Sequence, residues 1–255
     1  MYVTVQTAQS KVSSHPSAII DLTKSPPRKK LKSPKTWIQN NLYTLSVSAK
    51  NRILSPTAWL SDDIIEAAQA LIRDSNPLMG GLQLPYLGQT CSFSIERGQF
   101  IQILHNGADH WLVASNVGLC ETNQVRIYDS MYRRLTTATQ LQIAAIMKTS
   151  APHITVEFVE VQRQNGSDDC GAYAIAFAAA LSLGKNPWTL TFAESDIRKH
   201  LFNMLNNKKL QQFPVIKKRR GVRVTQGEPI QVYCSCRMPD VGEMIECSVG
   251  LDQIC

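Results

Sequence analysis

The 255-residue chain is long enough for one large domain, or for one medium domain with tails, and its 44% hydrophobic and 18% charged residues suit a buried core. The longest apolar stretch, residues 172–183, is too short to cross a bilayer, and the first residues lack the basic start and apolar core of a secretion signal. Together with an odd number of cysteines, seven, these features argue against a membrane protein, a secreted disulfide-framed protein and a fibrous rod, and favour a reducing compartment.

The net charge of +7 is concentrated at the two ends of the chain. Residues 1–50 hold eight Lys and Arg against one Asp, whereas residues 51–205 hold 11 basic and 14 acidic groups. We therefore predict a disordered basic tail over residues 1–44, a folded domain over 45–210 and a basic linker over 211–232. The basic ends can touch DNA non-specifically, but no aromatic residues interleave them, so we predict no specific nucleic-acid site.

Two kinds of short motif lie in these basic regions. The apolar run Ile19–Thr23 resembles a SUMO-interacting motif, which binds by adding a strand to a sheet edge; an idle tail segment is the alternative. The runs Pro27–Lys32 and Lys217–Arg220 are typical of nuclear import signals, although solvated charge runs look the same. We expect a nuclear location, to which the cytoplasm can be added as a second one.

The middle of the chain alternates between helical and strand-like patterns. Apolar residues from Leu60 to Ile72 recur at helical spacing, with Ser61 as a plausible N-cap and Asn76-Pro77 as the stop, and Gly80-Gly81 is predicted to be loop. Further helices are predicted at 139–148, 170–183 and 192–205, and strands at 100–104, 110–117, 125–129 and 154–161. The alanine-rich helix 170–183 carries almost no charge and is predicted to be central.

A histidine and an aspartate are predicted to be neighbours across a hairpin. If strands 110–117 and 124–129 pair around a turn near residues 119–120, His110 lies opposite Asp129. A slip of one residue would turn one of the two side chains to the other face of the sheet. A carboxylate beside an imidazole fixes its tautomer and favours its charged form, as general-base catalysis requires.

A cysteine stands where a polar loop runs into the alanine-rich helix. In the segment Gln164–Gly171, Cys170 lies at or near the helix N-terminus, where the helix dipole favours the nucleophilic thiolate. Gln164, six residues earlier, can offer its side-chain amide to an oxyanion, as can the backbone N–H of Cys170. A cysteine alone would be read as packing, but the four residues together supply nucleophile, base, orienting group and oxyanion donor.

The order His-Trp, Asp, Gln-x5-Cys-Gly resembles the ubiquitin-like-protein-specific cysteine proteases of the Ulp/sentrin SUMO-protease clan, of which adenoviral proteases are distant relatives. The resemblance covers about residues 45–210 and includes Trp59-Leu-Ser-Asp62, Tyr128-Asp129-Ser130 and Asp169-Cys170-Gly171. It implies an α+β fold of the papain-like/adenain-like type, with a central mixed sheet packed on helices. It also implies a catalytic triad of Cys170, His110 and Asp129, with Gln164 in the oxyanion hole.

The resemblance further implies a substrate channel. Trp59 and Trp111 match the tryptophans that enclose the substrate's terminal Gly-Gly, and Asp62 matches an acidic residue near the substrate tail. Only glycines are thin enough to lie between two indole faces, which accounts for cleavage after Gly-Gly. The chain departs from the family at Ser61, which replaces Asn, and in a slightly long His–Asp spacing.

The last segment, 233–255, resembles the opening of a PHD zinc finger through Cys234, Cys236 and Cys247. With Cys255, four thiolates can in principle hold one zinc, but the wide last gap and the missing further ligands argue for an incomplete finger without metal. Cys91 and Cys120 show no partner pattern and are expected to be apolar packing residues.

These observations predict a monomeric thiol isopeptidase that needs no cofactor for catalysis and contacts no membrane. Its expected partners are a ubiquitin-like modifier and its conjugates, with SUMO ahead of NEDD8 and ubiquitin. An acyltransferase using the same triad is one alternative, because this clan can host acyl transfer. The other is a non-catalytic nuclear adaptor that binds SUMO through Ile19–Thr23 and chromatin through the C-terminal segment.

Overall fold

The computed structural model describes residues 35–218, 221, 223–233 and 236–240 of the chain. Its helices are α1 (Val47–Leu54), α2 (Asp62–Ser75), α3 (Tyr86–Gln89), α4 (Thr137–Met147), α5 (Cys170–Ser182) and α6 (Glu194–Asn206). Its strands are β1 (Thr36–Gln39), β2 (Thr44–Ser46), β3 (Gly80–Gly81), β4 (Phe100–His105), β5 (Trp111–Ser115), β6 (Gln124–Tyr128), β7 (His153–Val159), β8 (Leu190–Phe192), β9 (Val215–Lys218), β10 (Val224–Gln226) and β11 (Ile230–Gln231).

The main sheet is mixed and has the spatial order β10-β7-β6-β5-β4-β3, with β11 also paired to β7. Strands β4, β5 and β6 are antiparallel, whereas β6 pairs with β7, and β3 with β4, in parallel. The predicted α+β fold with a central mixed sheet packed on helices is confirmed. Two small antiparallel pairs, β1 with β2 and β8 with β9, lie outside this sheet.

Helices cover the central strands on both faces, which explains why β4 and β5 read as almost continuous apolar runs. Ile103 and Val113 point into the larger core cluster, which contains α2, α5 and α6, whereas Leu104 and Leu112 point into a second cluster with α4. Helix α5 is buried along nearly its whole length and packs against β4 and β5. The sheet and this central helix therefore form the rigid base on which the candidate site is built.

Two local predictions were wrong. Gly80-Gly81 was predicted as loop, but it forms β3, and Gly81 has φ +78° with a hypothetical Cβ 2.2 Å from the carbonyl oxygen of Ile101. Only glycine allows the backbone to approach β4 so closely. Phe192 was predicted to open a helix, but it ends β8, and α6 starts at Glu194.

The folded region is larger than the predicted 45–210 at both ends. At the start, Trp37 of β1 stacks on Phe202 of α6 with ring centroids 5.0 Å apart, and the Tyr43 hydroxyl donates to the carbonyl of Leu205 at 2.7 Å. At the other end, the segment predicted as a linker contributes β9, β10 and β11, of which the last two pair with β7. Because these strands are two to four residues long, they carry too little periodicity to be recognised in the sequence.

Several predicted motifs fall wholly or partly outside the described residues. Ile19–Thr23, Pro27–Lys32, Cys234, Cys247 and Cys255 lie outside them. Lys217 pairs with Thr191 in the β8–β9 ladder, so the run Lys217–Arg220 begins inside a strand. No helix in the described part of the chain combines the length and the apolar character that a bilayer crossing requires.

We predict that a chain ending at residue 210 is much less stable than one ending at residue 240. The shorter chain loses three buried side chains, Phe213, Ile230 and Val232, and each buried apolar side chain of this kind contributes about 1.5–3 kcal/mol. Thermal unfolding followed by circular dichroism should show a fall in melting temperature of more than about 10 °C. Equal melting temperatures would contradict this prediction and would show that the residues after 210 do not stabilise the folded domain.

Candidate active site

His110 enters the site from a tight turn between β4 and β5. The side chain of Asn106 closes this turn, because its Oδ1 accepts the backbone N–H groups of Ala108, Asp109 and His110 at 2.9–3.0 Å. The backbone N–H of Asn106 donates in turn to the carbonyl of His110. The backbone of His110 is thus fixed from both sides immediately before β5 starts.

Asp129 follows β6 at the same end of the sheet and meets His110. Strands β5 and β6 pair Val113 with Tyr128, which sets position 112 opposite Asp129 and differs by two residues from the predicted register. A shift of two keeps each side chain on its own face. His110 and Asp129 are therefore diagonal neighbours, with Nε2 and Oδ1 2.9 Å apart.

The carboxylate of Asp129 is held by the chain that follows it. Its Oδ1 accepts the backbone N–H groups of Met131 at 2.7 Å and Tyr132 at 2.9 Å, in addition to the imidazole. The Tyr132 ring packs edge-on against His110, with centroids 4.9 Å apart. Asp129 is thus oriented by its own turn, and one side of the imidazole is covered by an aromatic ring.

The His110–Asp129 pair is buried, and the pKa of His110 differs from that of a histidine in water. His110 is 2% exposed, and burial alone would lower its pKa. The hydrogen bond and negative charge of Asp129, together with the Cys170 thiol, outweigh burial and raise the pKa of His110 to about 9. The other ring nitrogen, Nδ1, is buried without a hydrogen-bond partner among the described residues.

Cys170 is the first residue of α5 and is buried beneath the surface, at 2% exposure. The residue at the N-cap position is Asp169, and among the described residues no side chain caps the first turn of this helix. The unpaired N–H groups of a helix start carry partial positive charge. Cys170 thus lies at the positive end of this helix, and it is one of the groups that raise the pKa of His110.

Gln164 lies in the loop that leads to Cys170 and is attached to the strand side of the site. Its side-chain carbonyl accepts the hydroxyl of Ser130 at 2.6 Å, and its amide nitrogen donates to the carbonyl of Gly166 at 3.1 Å. Ser130 comes directly after Asp129 in the sequence. The structure therefore orients the Gln164 amide through the neighbour of Asp129, while the role of Gln164 in an oxyanion hole stays a prediction.

The two tryptophans of the predicted channel meet at the segment between α1 and α2. Trp59 belongs to this segment, and Trp111 binds the next residue, Leu60. Trp59 is 46% exposed, and its indole N–H donates to the Asp168 carboxylate at 3.0 Å. Trp111 is 4% exposed, and its indole N–H donates to the carbonyl of Leu60 at 3.2 Å. The exposed Trp59 ring is free to contact a ligand, whereas Trp111 offers almost no accessible surface, so the channel itself stays a prediction.

Asp62 is exposed in the first turn of α2, beside the histidine that packs on Trp111. The rings of His105 and Trp111 meet edge-on with centroids 4.6 Å apart. Burial lowers the pKa of His105, and the charges of Asp62 and Asp109 oppose this only in part. The acidic group that was predicted near the substrate tail therefore lies on the same side of the molecule as the two tryptophans.

Comparison with known proteins identifies the domain. Residues 100–219 match the profile of the Ulp1 protease family, C-terminal catalytic domain. This segment belongs to a Ulp1-family cysteine protease domain. The match includes His110, Asp129, Gln164 and Cys170, and the predicted family is confirmed. No curated protein matches the chain in sequence.

Several solved structures share the fold of this chain, although their sequences are only distantly similar to it. The Ulp1 protease domain in complex with Smt3, the yeast ortholog of SUMO, has a TM-score of 0.54 at 15% identity, over 71% of this chain and 91% of that one. The SUMO protease Ulp1 with its catalytic cysteine oxidised to a sulfenic acid has a TM-score of 0.54 at 16% identity, over 69% of this chain and 90% of that one. A de-sumoylating protease has a TM-score of 0.50 at 13% identity, over 69% and 92%.

Three residues of the Ulp1-family domain contribute to the site although they were assigned no role there from the sequence. Asn106 closes the turn before His110, Ser130 holds Gln164, and Tyr132 covers His110. Asn106 was recognisable in principle, because Asn followed by Gly is a common turn signal between two strands. Ser130 and Tyr132 gave no such signal, because each acts on a residue that is distant in the sequence.

The described residues of the Ulp1-family domain contain no cluster of three or more His, Cys, Asp or Glu that could hold a metal ion. Of the C-terminal cysteines that resemble part of a zinc finger, Cys236 alone is described; it is exposed, and its sulfur contacts the carbonyl of Tyr233. Cys91 is half-buried, but Cys120, which was expected to be buried, is exposed. The prediction was wrong for Cys120, which lies in the loop between β5 and β6.

We predict that Asp129→Asn lowers the pKa of His110 from about 9 to below its usual value near 6.5. The neutral amide no longer stabilises the imidazolium, and burial then dominates. Because the folded-state pKa of the native protein is raised, this pair stabilises the fold fully below pH ~6.5 and loses its effect as pH rises through about 9. NMR titration of the imidazole measures the shift. Asp109→Asn, which removes a nearby exposed carboxylate, is the control and should leave His110 unchanged.

We predict that Gly171→Ala destabilises the domain by about 1–3 kcal/mol. A Cβ at position 171 would lie 3.0 Å from the Cβ of Leu60, which follows Trp59, so the two segments would have to separate. Chemical denaturation measures the loss. Gly98→Ala is the matched control, since nothing lies within 4 Å of a Cβ there. Equal effects at the two positions would show that the contact with Leu60 is unimportant.

Proposed function

We propose that the domain hydrolyses the peptide or isopeptide bond that follows the C-terminal Gly-Gly of a ubiquitin-like modifier, with SUMO as the first candidate. The observation that carries the proposal is the buried imidazole of His110, with Nε2 on Asp129 and Nδ1 left to the Cys170 thiol. The choice of SUMO is supported by the solved relatives, one of which was captured with Smt3.

In the proposed reaction, the Cys170 sulfur attacks the carbonyl carbon of the terminal glycine as a thiolate, while His110 carries the proton as an imidazolium. The tetrahedral intermediate collapses when His110 returns the proton to the leaving amine, and a thioester remains on Cys170. His110 then takes a proton from a water molecule as that water attacks the thioester. Collapse of the second tetrahedral intermediate releases the carboxylic acid of the modifier and leaves Cys170 as a thiolate beside the protonated His110, which restores the starting state. Asp129 keeps the imidazole oriented and stabilises its charged form. These side chains carry out every step of the proposed reaction, which therefore needs no cofactor.

The negative charge on the carbonyl oxygen has two candidate stabilising groups. One is the uncapped first turn of α5, whose N–H groups point out of the helix start at Cys170. The other is the side-chain amide of Gln164, which is oriented because Ser130 holds its carbonyl. Removing one such donor typically slows an acyl-transfer step by about 100- to 1,000-fold.

A panel of SUMO, NEDD8 and ubiquitin, each ending in a vinyl sulfone in place of the carboxylate, tests the proposal on the full chain. We expect one of them to form a covalent adduct visible by mass spectrometry, with SUMO reacting fastest. The adduct should disappear in Cys170→Ala and persist in Cys120→Ala, which removes an exposed cysteine.

Absence of an adduct with every modifier would contradict the proposal and favour the non-catalytic adaptor. Adduct formation that survives Cys170→Ala would assign the nucleophile elsewhere. Transfer of an acetyl group from acetyl-coenzyme A to Cys170, without cleavage of any modifier, would favour the acyltransferase alternative.

A further inference from the structure

Arg198 is a buried cation outside the proposed triad. It lies in the first half of α6 and is 9% exposed, which is unusual for an arginine unless its charge and its N–H groups are paired. Its guanidinium donates from all three nitrogens. The acceptors are the Asp169 carboxylate (2.5 Å) and the carbonyls of Arg52 (3.2 Å), Ala58 (2.8 Å) and Asp168 (2.8 Å), with a longer contact of 3.5 Å to Ile53.

These acceptors belong to segments that are far apart in the sequence. Arg52 and Ile53 lie in the last turn of α1, Ala58 directly precedes Trp59, and Asp168 and Asp169 directly precede Cys170. A guanidinium presents five N–H groups in a rigid plane, so it can join several carbonyls at fixed angles, which a lysine ammonium cannot do. Arg198 therefore fixes the segment that carries Trp59 relative to the segment that carries the nucleophile.

Asp169 shows a second consequence of this contact. An aspartate at an N-cap position normally accepts N–H groups of the first helical turn. Here its carboxylate accepts Nε of Arg198 instead, and among the described residues no side chain caps α5. By drawing the carboxylate aside, Arg198 leaves the N–H groups at Cys170 available to a negative charge that develops on a substrate.

Trp59 is tied to the same loop from its other side. Its indole N–H donates to the carboxylate of Asp168, whose carbonyl accepts from Arg198. The Arg52 guanidinium also donates to the Trp59 carbonyl at 3.0 Å. The exposed indole thus keeps its place beside the nucleophile loop through a network with Arg198 at its buried centre.

We infer that Arg198 is a positioning residue that sets the Trp59 segment and the Asp168–Cys170 loop in their working arrangement and keeps the first turn of α5 uncapped. The inference rests on the proposed role of Cys170 as the nucleophile. Helix α6 contributes no residue to the proposed triad. Through Arg198, however, it aligns the segment of Trp59 with the loop of Cys170.

The test compares Arg198→Met, Arg198→Lys and a control, Lys199→Met, which removes an exposed cation from the next position of α6. For each full-length variant, kcat and KM are measured on the modifier that labels wild type, with the melting temperature as a check on folding. Arg198→Met should lower kcat/KM by about 100-fold at temperatures where it is fully folded, the scale expected for a misplaced catalytic group. Lys199→Met should match wild type.

Arg198→Lys separates alignment from charge balance. The lysine can still pair with Asp169, but it cannot bind the carbonyls of Ala58 and Asp168 together, so we expect it to recover only a small part of the lost activity. Full activity in this variant would overturn the inference, because pairing of Asp169 alone would then suffice. If Arg198→Met does not fold, the result for Arg198→Lys decides.

Fluorescence gives a readout that a purely structural role would not change. The fluorescence of Trp59 is obtained by subtracting the spectrum of the same protein carrying Trp59→Phe. In folded Arg198→Met, acrylamide should quench this fluorescence more strongly than in wild type. A variant that melts earlier but keeps the wild-type quenching and kcat/KM below its melting temperature would overturn the inference. Failure of wild type to react with any modifier would instead contradict the proposed function, so the two failures are distinguishable.

Discussion

The structure of the site depends on the burial of an imidazole and a carboxylate together. Removing two such groups from water costs several kcal/mol for each ion, and the cost is offset only when their hydrogen bonds are satisfied. Asp129 meets this condition by accepting three N–H groups, one from His110 and two from its own turn. The turn after β6 and the turn before β5 must therefore both keep their geometry for the pair to exist.

Cys170, the proposed nucleophile, is carried toward this pair because the central helix packs against the same strands. Helix α5 lies on β4 and β5, and its first residue is Cys170. Gly171 allows Leu60 to contact the helix start, and the indole of Trp111 holds the Leu60 carbonyl. The segment between α1 and α2 thus meets both β5 and α5, which places Trp59 beside the strand and the helix that carry the proposed catalytic groups.

The long, strongly periodic elements were predicted from the sequence, and the short ones were not. Helix α5 and strands β4 to β7 were expected within a few residues of their observed bounds, because their apolar patterns are continuous or alternate over five residues or more. The register of β5 against β6 was off by two residues, since the length and shape of the intervening loop leave no periodic signal. The strands β3, β9, β10 and β11 exist only through pairing with β4, β7 or β8, and nothing local marks them.

The sequence by itself determined where the proposed reacting groups stand. They are a cysteine at a helix start, and a histidine and an aspartate at strand ends on one face, because helix and strand periods fix the direction of each side chain. Only the tertiary structure decided which groups hold them. Arg198 meets acceptors 29 to 146 residues away, and Ser130 meets Gln164 across 34. Such contacts arise when separate elements pack together, and the residue types involved carry no local pattern that predicts their partners.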